Sequence, residues 1–155
     1  MHIRRTDEIL RRYAIGERNF INANLRCAVL TSAKLSEINL SYAQLSWADL
    51  SQANLSYADL TAADISQANL SGADLIKAYL MRTNLSGADL QQASLQRANL
   101  SSANLSEVNL TGADLTGANL ALADLRGANF YECNLSGANL KGALFIESDL
   151  AFAKQ

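Results

Sequence analysis

Every fifth residue from Phe20 to Leu150 is a large apolar side chain. Of these 27 centres 23 are Leu, and the exceptions are Phe20, Ile65, Phe130 and Phe145. Two residues before the centre stands Ala in 21 units; one before, Asn in 13 and Asp in eight; one after, Ser or Thr in 15. The unit is therefore Ala-(Asn/Asp)-Leu-(Ser/Thr)-x, repeated from residue 18 to residue 150 without an insertion. A period of five suits neither regular element. On an α-helix, five steps of about 100° turn each Leu about 140° from the last, so the leucines scatter around the cylinder. On a flat strand the leucines would alternate faces, because the side-chain period is 2. Ala and Leu within one unit lie two apart and do share a face. To keep every Ala–Leu pair pointing the same way, the chain must bend once per unit. Repeated bends in one sense make a coil with Ala and Leu inside, and stacked coils pair their backbones.

Runs such as Ala53-Asn54-Leu55-Ser56-Tyr57 and Ala113-Asp114-Leu115-Thr116-Gly117 carry the pattern A-(D/N)-L-x-x. In this the chain resembles the pentapeptide-repeat proteins, over residues 18–150. The resemblance implies an all-β fold, a right-handed quadrilateral parallel β-helix with four repeats per coil. Twenty-seven repeats then make nearly seven coils, a rod about 30 Å long at about 4.8 Å per coil. With 20 residues per coil, residues n and n+20 stack. None of the eight Asp at the position before a centre then meets another Asp: Asp49 meets Asn69, Asp64 meets Asn84 and Asp114 meets Asn134. Alternation of this kind avoids like charges at strand spacing.

The expected organisation is a capping segment, 1–17, and a β-helix, 18–155. Residues 6–15 read as a short α-helix, with Thr6 as N-cap, Asp7 and Glu8 in the first turn, an apolar stripe of Ile9, Leu10 and Tyr13, and Gly16 as the stop. The stripe would cover the first coil, since a solenoid exposes apolar surface at an uncapped end. At the far end Leu144 stands where Asn or Asp is usual, Ile146 where Ser or Thr is usual, and Phe152 lies in a short tail. This end either folds over itself or joins a second copy. Tail-to-tail dimers in the family make the homodimer an expectation of the resemblance.

Composition narrows the function. Thirteen basic against 15 acidic residues, a net charge of −2, does not suit direct nucleic-acid binding. No run of apolar residues is long enough for a transmembrane helix, and Arg11, Arg12 and Glu17 interrupt any signal-like core, so the expected location is cytoplasmic. Cys27 and Cys133 form no CxxC motif or disulfide framework. The single histidine, His2, lacks partners for a triad or a metal. Gly72, Gly87, Gly112, Gly117, Gly127, Gly137 and Gly142 each stand two after a centre, which is turn chemistry and not a phosphate loop. Outward Asp residues read as solvated and turn-stabilising. Cys133 replaces an inward Ala, and Cys27 points outward. No cofactor, metal or enzymatic activity is expected.

One stretch breaks the rule that outward positions are small and polar. Ile76, Lys77, Tyr79, Met81 and Arg82 all occupy such positions, and Tyr57 and Arg97 flank Lys77 in its column. Aromatic, Met and Arg side chains together have the composition of an interface. The seven form a candidate partner-binding patch, against the alternative of drift on an uncrowded surface. Trp47, in another column, is a second candidate. The expected function is a non-enzymatic module presenting a rigid surface to an unidentified protein. The alternative comes from the resemblance: some family members mimic DNA and regulate a type II topoisomerase (gyrase). Mimicry needs a dense negative surface, whereas residues 19–153 hold 12 acidic and seven basic residues.

Overall fold

The computed structural model describes residues 3–154. Helix α1, Ile3–Ala14, precedes a right-handed quadrilateral β-helix, and a 3-10 helix, Glu147–Phe152, lies near its end. The coils are joined by single parallel bridges at the position before each centre, from Asn19↔Asn39 to Asp124↔Leu144, always 20 residues apart. The expected stacking of n on n+20 is thus the register of the rod. Four faces follow, with centres running 20, 40, 60 on the first, 25, 45, 65 on the second, 30, 50, 70 on the third and 35, 55, 75 on the fourth.

Each corner is built the same way. The N–H two residues before a centre donates to the preceding centre's carbonyl, as in Ala53 N–H to Leu50 O at 3.0 Å. The residue two after the centre has positive φ, which makes the corner a type II turn. From Asn22 to Gly142 all 25 such corner residues are left-handed, and 18 of them are not glycine. The Asn or Asp before the centre holds the turn: its Oδ1 accepts the N–H two residues on, as Asn54 does from Ser56 at 3.0 Å, and often the Ser or Thr hydroxyl as well. These side chains are mostly half-buried against the corner, not solvated as the sequence suggested.

The centres and the Ala positions form one continuous core. Thr83, in an Ala slot, is fully buried and donates its hydroxyl to Leu60 O at 2.8 Å. Cys133, also inward, is buried, and burial together with the Asp114 charge pushes its thiol up to about 12.

The N-terminal end departs from expectation. Helix α1 starts at Ile3, three residues before the expected start, so Thr6 lies inside the helix and Asp7 and Glu8 lie beyond its first turn. Arg4 and Arg5 are good helix formers and extend it backward. It ends at Ala14 in a Schellman motif, with Gly16 N–H to Tyr13 O at 3.0 Å and Glu17 N–H to Arg12 O at 3.1 Å. Gly16 is the stop, with φ +99°. Ile9 is buried on the first coil, the Tyr13 hydroxyl donates to Ser36 O at 2.8 Å, and the Arg12 guanidinium lies 4.9 Å from the Phe20 ring centre.

At the other end the chain does more than trail away. After the 3-10 helix it rejoins the ladder at Lys154, which bridges to Asn134 and donates its N–H to Cys133 O at 2.7 Å. Phe152 packs on Tyr131, with ring centres 6.1 Å apart. Still, Leu144, Ile146 and Phe152 are 53%, 62% and 70% exposed, and Leu140, Ala143 and Phe145 are only partly buried.

Candidate functional site

The patch residues gather on the first face and the two corners that bound it. Tyr79 stands on the face itself, between Asp59 and Asn99. Tyr57, Lys77 and Arg97 climb the corner before it; Arg82 stands on the corner after it, in the column of Tyr42 and Ala62. Tyr57 and Tyr79 are 49% and 51% exposed. Lys77, Arg82 and Arg97 are exposed, whereas Ile76 and Met81, directly after a centre, are half-buried in the corners. The structure thus brings all seven to one side, with five of them open to solvent.

The corner geometry explains how two cations tolerate one column. Lys77 leans back over Tyr57, with its Nζ 5.3 Å from the ring centre and 3.4 Å from the hydroxyl. That is a cation–π distance. Arg97 leans the other way: its Cγ lies 3.6 Å from where a Cβ on Gly117 would be. The Lys77 ammonium is thus drawn toward Tyr57, on the side of its column away from Arg97.

Beside Arg82 is a hollow of about 290 Å³ lined by Thr61, Met81, Arg82, Ser101 and Ser102. It is a dent between coils, edged by one guanidinium and several hydroxyls. The sequence reading missed it, although the n+20 rule places Thr61 and Ser101 on either side of Met81. Trp47 is 66% exposed but stands on the corner after the second face, above Cys27, which is also exposed. The structure does not bring it into the patch.

Acid–base chemistry has little to work with here. The rod is filled, and among the described residues no group of three His, Cys, Asp or Glu side chains is placed to hold a metal. His2 lies outside the described residues. Three of the turn-holding carboxyls are shifted toward the ionised form. Hydrogen bonds from the Ser51 hydroxyl and N–H hold Asp49 below its ordinary value. Burial pushes Asp114 up, but the Thr116 hydroxyl and N–H and the Gln96 amide outweigh it, leaving the carboxyl lowered. The Arg126 guanidinium does the same for Asp124, at 2.6 and 2.8 Å. Every one of these shifts favours the ionised form, the wrong direction for a general acid.

The family described as pentapeptide repeats matches in eight copies, over residues 19–41, 43–81, 83–121 and 123–154. Among solved structures, the chain is similar to HetL, a pentapeptide repeat protein involved in heterocyst differentiation regulation in the cyanobacterium Nostoc sp. strain PCC 7120. The identity is 40%, over 88% of this chain and 70% of that one, with a TM-score of 0.54. A pentapeptide repeat protein of the Arabidopsis thaliana thylakoid lumen aligns at 23% identity over 83% of this chain and 72% of that one, with a TM-score of 0.50, and shows the fold alone. A plasmid-mediated fluoroquinolone resistance protein, QnrB1, aligns at 17% identity and a TM-score of 0.40 over 85% of this chain and 88% of that one, too distant to carry an argument. No curated protein matches.

Proposed function

We propose that this chain, which belongs to the pentapeptide-repeat family, acts as a non-enzymatic interaction module whose first face docks a protein partner. The observation that carries the reading is the convergence of Tyr57, Lys77, Tyr79, Arg82 and Arg97, all exposed, on one side of the rod. Tyr and Arg are the residue types most enriched among those that dominate binding energy. A rigid scaffold presents them without a backbone ordering cost on binding. The involvement of the similar Nostoc protein in regulation of differentiation supports an interaction role over a catalytic one. The topoisomerase alternative needs an acidic surface without a cationic break, and this face is such a break.

The test is capture. The immobilised protein is exposed to a lysate of its source organism, alongside a Tyr79→Ser/Arg82→Ser variant. A specific partner held by the first and lost by the second is the expected outcome; equal retention by both overturns the docking face.

A second copy is the proposed occupant of the C-terminal end. The support is the apolar surface of Leu144, Ile146 and Phe152 at an end that its own tail covers only in part. Sedimentation should show a dimer that Leu144→Asp/Ile146→Asp/Phe152→Asp converts to monomer. A monomer at all concentrations in the unchanged protein sinks this contact.

A further inference from the structure

Charge on this rod is sorted by side. Take the first face with its two bounding corners as one side. Over residues 40–125 that side holds three cations, Lys77, Arg82 and Arg97, and one carboxylate, Asp59. The other sides of the same coils hold seven carboxylates and no cation. Over residues 19–146 the split is four cations and two carboxylates against three cations and eight carboxylates. The ion pairs among the described residues are Arg12–Glu17 and Arg126–Asp124, so Lys77, Arg82 and Arg97 have no carboxylate within 4.0 Å. A chain of net charge −2 thus presents one cationic strip carrying tyrosines, with a hydroxyl-edged hollow beside Arg82.

We propose that the first face takes an acidic segment of its protein partner, with one carboxylate seated in the hollow between Arg82, Thr61, Ser101 and Ser102. The inference rests on the docking face proposed above and names the chemistry of what docks. Charge complementarity selects the class. A carboxylate in the hollow meets a fork of guanidinium donors, which matches its geometry. The hydroxyls around it supply further donors. Lys77 and Arg97, on the neighbouring corner, spread positive charge over more than one coil. The tyrosines give the apolar contact that charges alone lack.

A nucleic acid fits less well. Duplex or strand binding commonly engages six to ten phosphates, that is about twice the cations present or more. The carboxylates on the other sides of the coils, whose field reaches about 8–10 Å, would repel a long polyanion. A short acidic segment engages the strip and stays clear of the rest.

The probe is a fluorescein-labelled decamer of glutamate, titrated with the full chain and followed by anisotropy. Binding is expected, weakening as salt rises. Lys77→Glu/Arg82→Glu/Arg97→Glu should weaken it by about tenfold or more. Arg26→Glu/Lys34→Glu/Lys154→Glu, which makes the same change in net charge at exposed sites on the other sides, should weaken it by about twofold or less. Should the reversed patch variant melt early, Lys77→Gln/Arg82→Gln/Arg97→Gln replaces it, since Gln already occupies left-handed corners at 52, 67 and 92. No binding by the unchanged protein overturns the proposal, as does equal weakening in both triple variants. A labelled thymidine decamer bound more tightly than the glutamate decamer, with the same residue dependence, also overturns it in favour of nucleic acid. If the glutamate decamer fails while Tyr79→Ser/Arg82→Ser still abolishes capture, the face stands and only its acidic partner falls.

Discussion

The first coil of the rod lies under α1, with Phe20 and Ile9 both buried, whereas the last coil leaves Leu140, Ala143 and Phe145 half-open and Leu144, Ile146 and Phe152 facing water. The N-terminal cover is an element of different period. Its helix brings Ile9, Arg12 and Tyr13 onto one side and fixes them with a Schellman turn and the Tyr13–Ser36 hydrogen bond. The C-terminal cover is made of the repeat itself, bent into a 3-10 turn that rejoins the ladder at Lys154. A repeat offers its own apolar side to a neighbour and has nothing left to cover it. Closing the stack takes a sequence that stops obeying the repeat. At the N-terminal end α1 is such a sequence.

That contrast has consequences of graded size. The largest is in the core. Phe20→Ala should cost about 3–5 kcal/mol, as for a buried aromatic truncation. Phe145→Ala, half-exposed on the open end, should cost about 1–2 kcal/mol. Denaturant unfolding of the two variants side by side checks this, and equal losses would erase the difference between the ends.

Next comes the backbone. A Cβ at Gly16 or at Gly137 meets nothing within 4 Å, so only conformation is at stake. Gly137 has φ +67°, near the 54–61° of the 18 non-glycine corner residues, whereas Gly16 has φ +99°. Gly16→Ala should cost about 2 kcal/mol and Gly137→Ala about 1 kcal/mol, read from the shift in melting temperature. The reverse order would mean that the helix stop is not what holds α1 on the first coil.

Removing one hydrogen bond is a smaller change. Tyr13→Phe keeps the ring under the Arg18 guanidinium, 3.8 Å from its centre, and loses the bond to Ser36 O. The expected cost is about 1 kcal/mol. Hydrogen exchange should show α1 opening more often while the middle coils are unchanged.

The smallest effect is in acid. Arg12 holds Glu17 below its ordinary value at one end, and Arg126 holds Asp124 below its own toward the other. A carboxyl lowered by folding adds stability above its unfolded value and loses it as pH falls through its folded value. The window therefore opens near 4.5 for Glu17 and near 3.8 for Asp124, and runs downward from there. Both pairs lie in solvent, which screens them. Glu17→Gln and Asp124→Asn should each flatten the acid limb of a melting-temperature profile slightly. A steep limb left intact in both would assign it to Asp49 and Asp114 in the middle of the rod.

Much of this was legible in the residues. The five-residue period dictates one bend per unit, and the family resemblance supplied four units per coil. From those two facts came the stacking of Asp49 on Asn69 and the gathering of Tyr57, Lys77 and Arg97 in one column. The period repeats a local rule, and a local rule is what a sequence states openly. The start of α1 was misread because Thr6 followed by Asp7 and Glu8 mimics a cap inside a helix. The 3-10 helix left no pattern in the residues, although the return at Lys154 keeps the register of 20. Nor was the corner chemistry fully visible: the seven corner glycines marked the turn, but 18 other residues adopt the same left-handed conformation. There the Asx hydrogen bond and the paired backbone hold the bend, and glycine is not required.

The sequence by itself determined the solenoid and its inward Ala and Leu, which depend on spacing along the chain alone. The register of 20, and with it the side on which the cations fall, was implied by the family resemblance and is set by the stacking of the coils. Which way each outward side chain leans was decided only in three dimensions. Lys77 turns to the Tyr57 ring and Arg97 to the space above Gly117, and Gln52 lies within 1.9 Å of where a Cβ on Gly72 would stand. The reason is that a corner side chain has no neighbour in its own unit. Its nearest contacts are 20 residues away, and they exist only once the coils are stacked.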